Sequence, residues 1–255
     1  MAETPKNKKI YTGFAAGYDL VMRDVDYDRW AEHVLDLMQD FGIKGKRILN
    51  LACGTGCTEL AWSKRGYEVT GLDQSSEMIE RAREKAPARL KDRFLVADMR
   101  TFELGRTFDL IFCLYDSLNY LTSPQDVQAC FRKVASHLNP GGGFIFDIAT
   151  EANILENFTN TTYAENFEDF AYIWDNEYNI RTKICRSDFH FFYREPDSRA
   201  FTRRSEVHYQ RIYASRELVK WLKEAGLVYV ASFDGFTKNP PASHSERIHF
   251  LSRRV

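Results

Sequence analysis

The sequence predicts an α/β fold: a mostly parallel sheet with helices on both faces, plus a small antiparallel β insertion. Three observations carry this. Between residues 47 and 149 short apolar runs alternate with helical patterns; the first run breaks into Gly54-Thr55-Gly56 and feeds a helix; and acids recur where later runs end. Strands covered on both faces read as uninterrupted apolar runs, and their alternation with helices is the mark of parallel β-α-β units. A chain of 255 residues holds one such domain with an elaboration more readily than two independent domains.

Residues 1 to 9 are polar and lysine-rich and are expected to fray. An aromatic stretch from Tyr11 to Tyr18 follows, which reads either as packing or as an N-terminal lid. Trp30, Val34, Leu35, Leu37, Met38 and Phe41 share one face of a helix over Asp28 to Phe41, with Gly42 as its stop. Ile48 to Ala52 is a buried strand. Its glycine turn, followed by a helix from Thr58 to Lys64, gathers free backbone N–H groups and the positive end of a helix dipole at one spot. Glycine there allows positive φ and close approach of a ligand to the backbone.

Tyr67 to Asp73 forms the second strand, and Ser75 opens the helix SSEMIERAREKA, which stops before Pro87. Phe94 to Ala97 is a strand followed by Asp98; Phe108 to Leu114 is another, followed by Tyr115-Asp116-Ser117. A helix over 124–138 has Pro124 in its first turn. Asn139 to Gly143 reads as a turn and Gly143 to Ile148 as a strand. In 150–213 the pattern changes to three antiparallel strands (Phe167–Asn179, Thr182–Arg194, Ala200–Tyr213) rich in aromatic residues, with a hairpin turn at Glu195-Pro196-Asp197-Ser198. Ser215 caps the last helix, and Leu227 to Phe233 and Arg247 to Leu251 bring the main sheet to seven strands.

Composition excludes several classes. A net charge of −1 gives no electrostatic reason to expect a nucleic-acid partner. Apolar stretches such as Leu110 to Leu114 are far too short to cross a membrane, and MAETPKNKKI lacks the apolar segment of a secretory signal, so the cytoplasm is expected. The cysteines at 53, 57, 113, 130 and 185 form no C-x-x-C pair and read as reduced thiols; Cys53 and Cys57 flank the glycine turn with nothing to complete a zinc site.

Ligands of parallel sheets bind outside the C-terminal ends of the strands. Gly54, Asp73, Asp98 and Asp116 all fall there and are expected to converge on one crevice. A carboxylate after the second strand, beyond a glycine turn, suits the two hydroxyls of a ribose, which points to a nucleoside. A dinucleotide-binding turn would carry a third glycine where Glu59 stands. A glutamate is a poor neighbour for a diphosphate, which disfavours NAD and suits a cationic or zwitterionic ligand.

LACGTG, GLDQSSEMIERARE, ADM at the third strand and NPGGGFIF together resemble the class I S-adenosylmethionine-dependent methyltransferases over nearly the whole chain. YTGFAAGYDLVMRDVDYDRW, CLYDSLNYL, ADMRTFELGRTFD and the β-rich insertion are similar to a bacterial small-molecule subgroup that includes amino-sugar N,N-dimethyltransferases. The family usually has an acid where Asn50 stands and a glycine where Ala52 stands.

The resemblance implies a Rossmann-like fold, a cofactor S-adenosyl-L-methionine leaving as S-adenosyl-L-homocysteine, and no metal. It divides the chain into an N-terminal helical lid (1–42), a cofactor-binding α/β domain (43–149 with 214–255) and the insertion (150–213). The insertion is a substrate lid, a homodimer surface, or a sandwich against the main sheet. Backbone at Ala52, Gly54 and Gly56 would lie against the methionyl portion. Asp73 would accept the ribose hydroxyls, with Gln74 and Met78 beside the adenosine; Asp98 would accept the adenine amino group, with Met99 on the purine. Leu114 would offer a carbonyl to the methionine ammonium, and Tyr18 and Trp30 would close over cofactor and substrate mouth.

Ser117, Asn119, Tyr120 and His244 are the expected substrate contacts. Asp116 or a tyrosine, Tyr18 among them, is expected to take a proton from the acceptor. Bland readings stand beside these: Asp73 and Asp98 as solvated strand ends or caps, Met78, Met99 and Tyr18 as core, residues 116–120 as a cap and turn, and His244 and His249 as structural.

The function so implied is methyl transfer to nitrogen or oxygen of a small molecule by in-line substitution. A non-catalytic S-adenosylmethionine-binding regulator is the alternative from another class, and methyl turnover separates the two. A DNA amino-methylating enzyme would show an Asn/Asp-Pro-Pro-aromatic element where Asp116-Ser117-Leu118-Asn119 stands; a protein substrate is the other macromolecular alternative.

Overall fold

The computed structural model describes residues 4–7 and 10–255; residues 1–3 and 8–9, part of the stretch expected to fray, lie outside the described residues. Helix α1 (Tyr18–Val21) precedes α2 (Tyr27–Asp40), whose start is fixed by Asp26 accepting the Arg29 amide at 2.9 Å. The α/β core runs β1 (Arg47–Leu51), α3 (Cys57–Lys64), β2 (Glu68–Asp73), α4 (Ser76–Lys85), α5 (Ala88–Lys91), β3 (Phe94–Val96) and β4 (Phe108–Cys113). A 3₁₀ turn at Ser117–Tyr120 leads to α6 (Pro124–His137) and β5 (Leu138–Ala149). Beyond α7 (Glu151–Asn153) and a wide helical turn at Ile154–Phe158 lie β6 (Thr162–Asn166), β7 (Phe170–Asn179), β8 (Ile184–Arg194) and β9 (Phe201–Arg211). The chain closes with α8 (Ser215–Glu224), β10 (Leu227–Asp234) and β11 (Arg247–Arg254).

The main sheet has seven strands in the order β10-β11-β5-β4-β1-β2-β3. β1 pairs in parallel with β2 and β4, β2 with β3, and β4 with β5, whereas β11 runs antiparallel to both β5 and β10. The order reverses between β1 and β4, so a crevice opens at their C-terminal ends. Alternate residues of each strand feed opposite layers. Leu49, Ile111, Phe144, Phe146 and Phe250 pack with Phe131 of α6 and with Leu218 and Trp221 of α8. Ile48, Leu110, Phe112, Ile145 and Leu251 pack with Val34 and Leu37 of α2 and Trp62 of α3.

β6 to β9 form a separate four-stranded antiparallel sheet. Its β6 was not legible as a strand, because Thr162 to Asn166 has no apolar alternation and is largely exposed. The aromatic face packs on the N-terminal segment: the Phe14 ring stacks on Phe191 at 4.6 Å and on Phe189 at 5.6 Å. Residues 4–7 also depart from a frayed end. Asn7 donates to the Tyr209 and Tyr120 carbonyls at 2.8 and 3.0 Å and accepts the Tyr209 amide at 2.8 Å.

Two local expectations are corrected. The turn expected over Asn139 to Gly143 sits inside β5 as an irregularity, with Phe108 opposite Leu138 but Leu110 opposite Gly143. Ser215 is the first residue of α8 rather than its cap; Ala214 holds that place, and its amide donates to the Glu217 carboxylate at 3.1 Å.

Candidate active site

β1 ends in a turn where Ala52, Gly54 and Gly56 all have positive φ (70°, 53° and 79°). At Ala52 the backbone keeps the left-handed conformation that a glycine would adopt without strain. Gly54 faces open space, since a Cβ there would come no closer than 3.9 Å, to Tyr18. Gly56 serves packing instead: a Cβ would stand 2.7 Å from the Phe94 ring, so α3 seats on β3 only with glycine there. It does not line the cavity.

Across the turn, Asp73 accepts the Gly54 amide on Oδ2 and the Ser75 amide on Oδ1, both at 2.9 Å. Burial pushes its carboxyl up, opposed by the amides of Ser75, Gly54 and Gln74. The carboxylate keeps acceptor capacity for a further donor. Glu59 lies beneath the turn rather than in the crevice. It is almost fully buried, accepts the Asn50 amide nitrogen at 2.7 Å, and has a carboxyl pushed by burial to about 7.

The first cavity lies over these strand ends and is lined by Tyr18, Ala52, Gly54, Asp73, Gln74, Met78, Asp98, Met99, Leu114, Ser117 and Tyr120 among the expected residues. Asp98 takes a fork from Arg100, with Nε at 2.9 Å from Oδ1 and Nη2 at 2.5 Å from Oδ2. Burial raises the Asp98 carboxyl, but the Arg100 side chain and amide outweigh it and hold it below the usual carboxylate range. Ser117 Oγ donates to the Leu114 carbonyl at 2.7 Å.

A second cavity of about 470 Å³ adjoins the first. Tyr11, Tyr18, Tyr115 and Tyr120 line both and form the wall between them. Phe14, Trp174 and Phe189 furnish its aromatic side. Its polar corner is Asp116, held at φ 51° next to Tyr115 at 61°, successive left-handed residues of the kind that gather at functional sites. Asp116 Oδ1 accepts Arg247 Nη2 at 2.7 Å, and Oδ2 accepts Gln210 Nε2 at 2.6 Å. Arg247 also pairs with the fully buried Asp147, which accepts the Asp116 amide at 3.0 Å. Burial raises both carboxyls; the Arg247 charge opposes it in each.

Other expected residues fall elsewhere. Trp30 lines the second cavity, not the first; its ring lies 4.1 Å from that of Tyr115, with the Arg247 guanidinium 5.5 Å from it. Asn119 is fully buried and structural, bridging the Ala149 backbone and the Arg211 carbonyl. His244 is exposed and lines neither cavity. Tyr11, Tyr115, Asp147, Arg247 and Gln210 were given no site role from sequence; Arg247 and Gln210 reach Asp116 through contacts distant in the chain, while Tyr115 beside Asp116 and the acid Asp147 near the end of β5 were local signals.

Residues 48–142 match a family described as a methyltransferase domain. Over 246 residues the chain is 34% identical to the putative methyltransferase YqeM of Bacillus subtilis (strain 168), covering 96% of this chain and 97% of that one. A crystal structure of an S-adenosylmethionine-dependent methyltransferase from Clostridium acetobutylicum ATCC 824 superposes with a TM-score of 0.81 at 28% identity, covering 96% of this chain and 98% of that one.

This chain belongs to the S-adenosylmethionine-dependent methyltransferase family.

The main sheet is accordingly the Rossmann-like sheet of these methyltransferases, with the four-stranded sheet as its elaboration. A further relative, a dTDP-3-amino-3,4,6-trideoxy-alpha-D-glucopyranose N,N-dimethyltransferase of Streptomyces venezuelae, is 32% identical over 127 residues, 49% of this chain and 52% of that one. The first cavity fits the cofactor of the family on its own terms. The room beside Gly54, the Asp73 carboxylate at the strand tip and the apolar Met78 and Met99 suit a nucleoside.

Proposed function

We propose that the protein moves the methyl group of S-adenosylmethionine to a nitrogen or oxygen of a small molecule held in the second cavity. The observation that carries this is the shared tyrosine wall: a nucleoside-type cavity at the strand tips and an aromatic chamber have Tyr11, Tyr18, Tyr115 and Tyr120 in common as lining. In this reading Asp73 holds the ribose hydroxyls and the backbone at Ala52 and Gly54 flanks the methionyl chain. Asp98 and Met99 meet the adenine, Gln74 and Met78 lie beside the adenosine, and the Leu114 carbonyl receives the ammonium. The cofactor supplies a methyl group already activated on a sulfonium. The protein's share is to align the acceptor, exclude water and accept a proton.

The N-terminal segment and the insertion act together as the chamber's lid, because Phe14 and Tyr18 pack on the aromatic face of the second sheet while lining the cavity. Trp30 and Tyr120 line the acceptor side, and Ser117 backs the Leu114 carbonyl. Amino-sugar nucleotides, other secondary metabolites and small amines form the acceptor panel. The net charge of −1 and the chamber's aromatic lining speak for a small molecule over nucleic acid. A bacterial cytoplasmic enzyme accords with the bacterial relatives, and a homodimer would use the outer face of the second sheet.

Incubation of a cell extract with tritium-labelled cofactor, followed by size fractionation, tests the reading. Label is expected in the small-molecule fraction; label retained only on protein or nucleic acid contradicts it.

A further inference from the structure

We infer that Tyr11, Tyr120, His208 and Glu206 form a proton path out of the acceptor chamber, with His208 as the receiving base. The inference rests on the functional reading above. Tyr11 Oη lies 2.6 Å from Tyr120 Oη, Tyr120 Oη 3.4 Å from His208 Nδ1, and His208 Nε2 2.9 Å from Glu206 Oε2. The tyrosines stand in the wall between the two cavities. His208 and Glu206, two apart on β9, share a face of the strand and are almost wholly buried, with side-chain exposures of 1% and 6%.

The hydrogen bonds fix a direction. An ionised carboxylate only accepts, so Nε2 of His208 carries the hydrogen, and in the neutral ring Nδ1 is the acceptor. Tyr120 then donates to Nδ1, and Tyr11 donates to Tyr120, which leaves the Tyr11 oxygen as acceptor on the chamber side. Burial pushes both phenols up, and so disfavours tyrosinate; each hydroxyl passes one proton on as it takes one in.

Balance is simple. The acceptor's lone pair forms the bond to the methyl carbon, and the carbon–sulfur pair returns to sulfur. The acceptor's N–H or O–H proton enters at Tyr11, and the Tyr120 proton arrives on His208 Nδ1 opposite the Glu206 carboxylate. Asp116, the other candidate, accepts Arg247 on one oxygen and Gln210 on the other, and the Arg247 charge beside it opposes its taking a proton. The titratable and charged groups bearing on the path are Glu206 on β9, Tyr11 and Tyr18 of the N-terminal segment, Asp116 and Tyr120 after β4, and Cys185 on β8.

Sinefungin, which carries an amine where the cofactor carries its methyl group, reports on this path without an acceptor. Its affinity relative to S-adenosylhomocysteine is measured by calorimetry at one pH in the wild type, Y120F, H208L and H208Q. In Y120F and in H208L the ratio should fall about tenfold, because the Tyr11 hydroxyl loses its fixed direction and its hydrogen can turn against the ligand's ammonium. H208Q, which keeps an acceptor for Tyr120 and a donor for Glu206, should hold the wild-type ratio. An equal ratio in the wild type, Y120F and H208L overturns the path. Failure of the wild type to bind S-adenosylhomocysteine would instead bring down the cofactor reading beneath it.

Discussion

Asn50 on β1 donates to Glu59 on α3 at 2.7 Å, and this buried pair pins the glycine turn from below. The acid that the family usually carries at position 50 sits here on residue 59 instead. Two carboxylates at this distance would repel, so Asn50 and Glu59 belong together. The Glu59 carboxyl is raised to about 7 from an ordinary 4.5. The folded state therefore holds a proton that the unfolded chain releases between those values, and stability falls as pH rises through that window. E59Q keeps an acceptor for Asn50 and removes the charge. It is expected to stabilise the protein at pH 8 by up to about 3 kcal/mol and to leave it unchanged at pH 4.5, read by urea denaturation.

His33 and His249 give the opposite slope. Their rings meet at 3.1 Å (Nε2 to Nδ1), and His249 Nδ1 lies 2.6 Å from the Gly235 carbonyl. Burial lowers both to about 4, helped at His33 by His249 and at His249 by Arg247. The unfolded chain binds these protons first, so stability is full above pH 6.5 and is lost as pH falls towards 4. In the wild type Glu59 partly masks this loss. In E59Q the urea midpoint should drop more steeply between pH 6.5 and 5 than in the wild type; an equal slope would contradict the Glu59 assignment, and no drop in E59Q the histidine one.

Ala52 supplies a third test. Its φ of 70° is left-handed, which costs a non-glycine residue roughly 1–2 kcal/mol, while glycine loses about 0.5–1 kcal/mol more on folding. A52G should be neutral or stabilising by up to about 1 kcal/mol in thermal melts, where an Ala→Gly change elsewhere in a buried turn would destabilise.

The parallel core was legible because burial on both faces leaves unbroken runs such as Leu110–Cys113, and because Gly54, Asp73 and Asp98 fall at strand ends by spacing alone. Position along a strand, however, says nothing of what a side chain meets. Gly56 looks like Gly54 in sequence, yet Phe94 fills the space above it. Asn119 sits in the right loop but is consumed by the Ala149 and Arg211 backbone. Asp116 was legible as an acid at a strand tip, whereas its restraint by Arg247 and Gln210 depends on contacts 131 and 94 residues away. The histidine of the proton path was invisible for the same reason: His208 lies on the insertion, and only the fold brings it to Tyr120.

The central claim is that Asp73 anchors the nucleoside of the cofactor at the tip of β2. Isothermal titration of S-adenosylhomocysteine into the wild type, D73N and D73A measures it directly, with circular dichroism to confirm folding. Losing charge-assisted hydrogen bonds worth about 1.5–3 kcal/mol each should weaken binding by roughly a hundredfold or more in D73A, and by less in D73N, which keeps one acceptor. No binding to the wild type, or a folded D73A that binds within about threefold of it, would contradict the account.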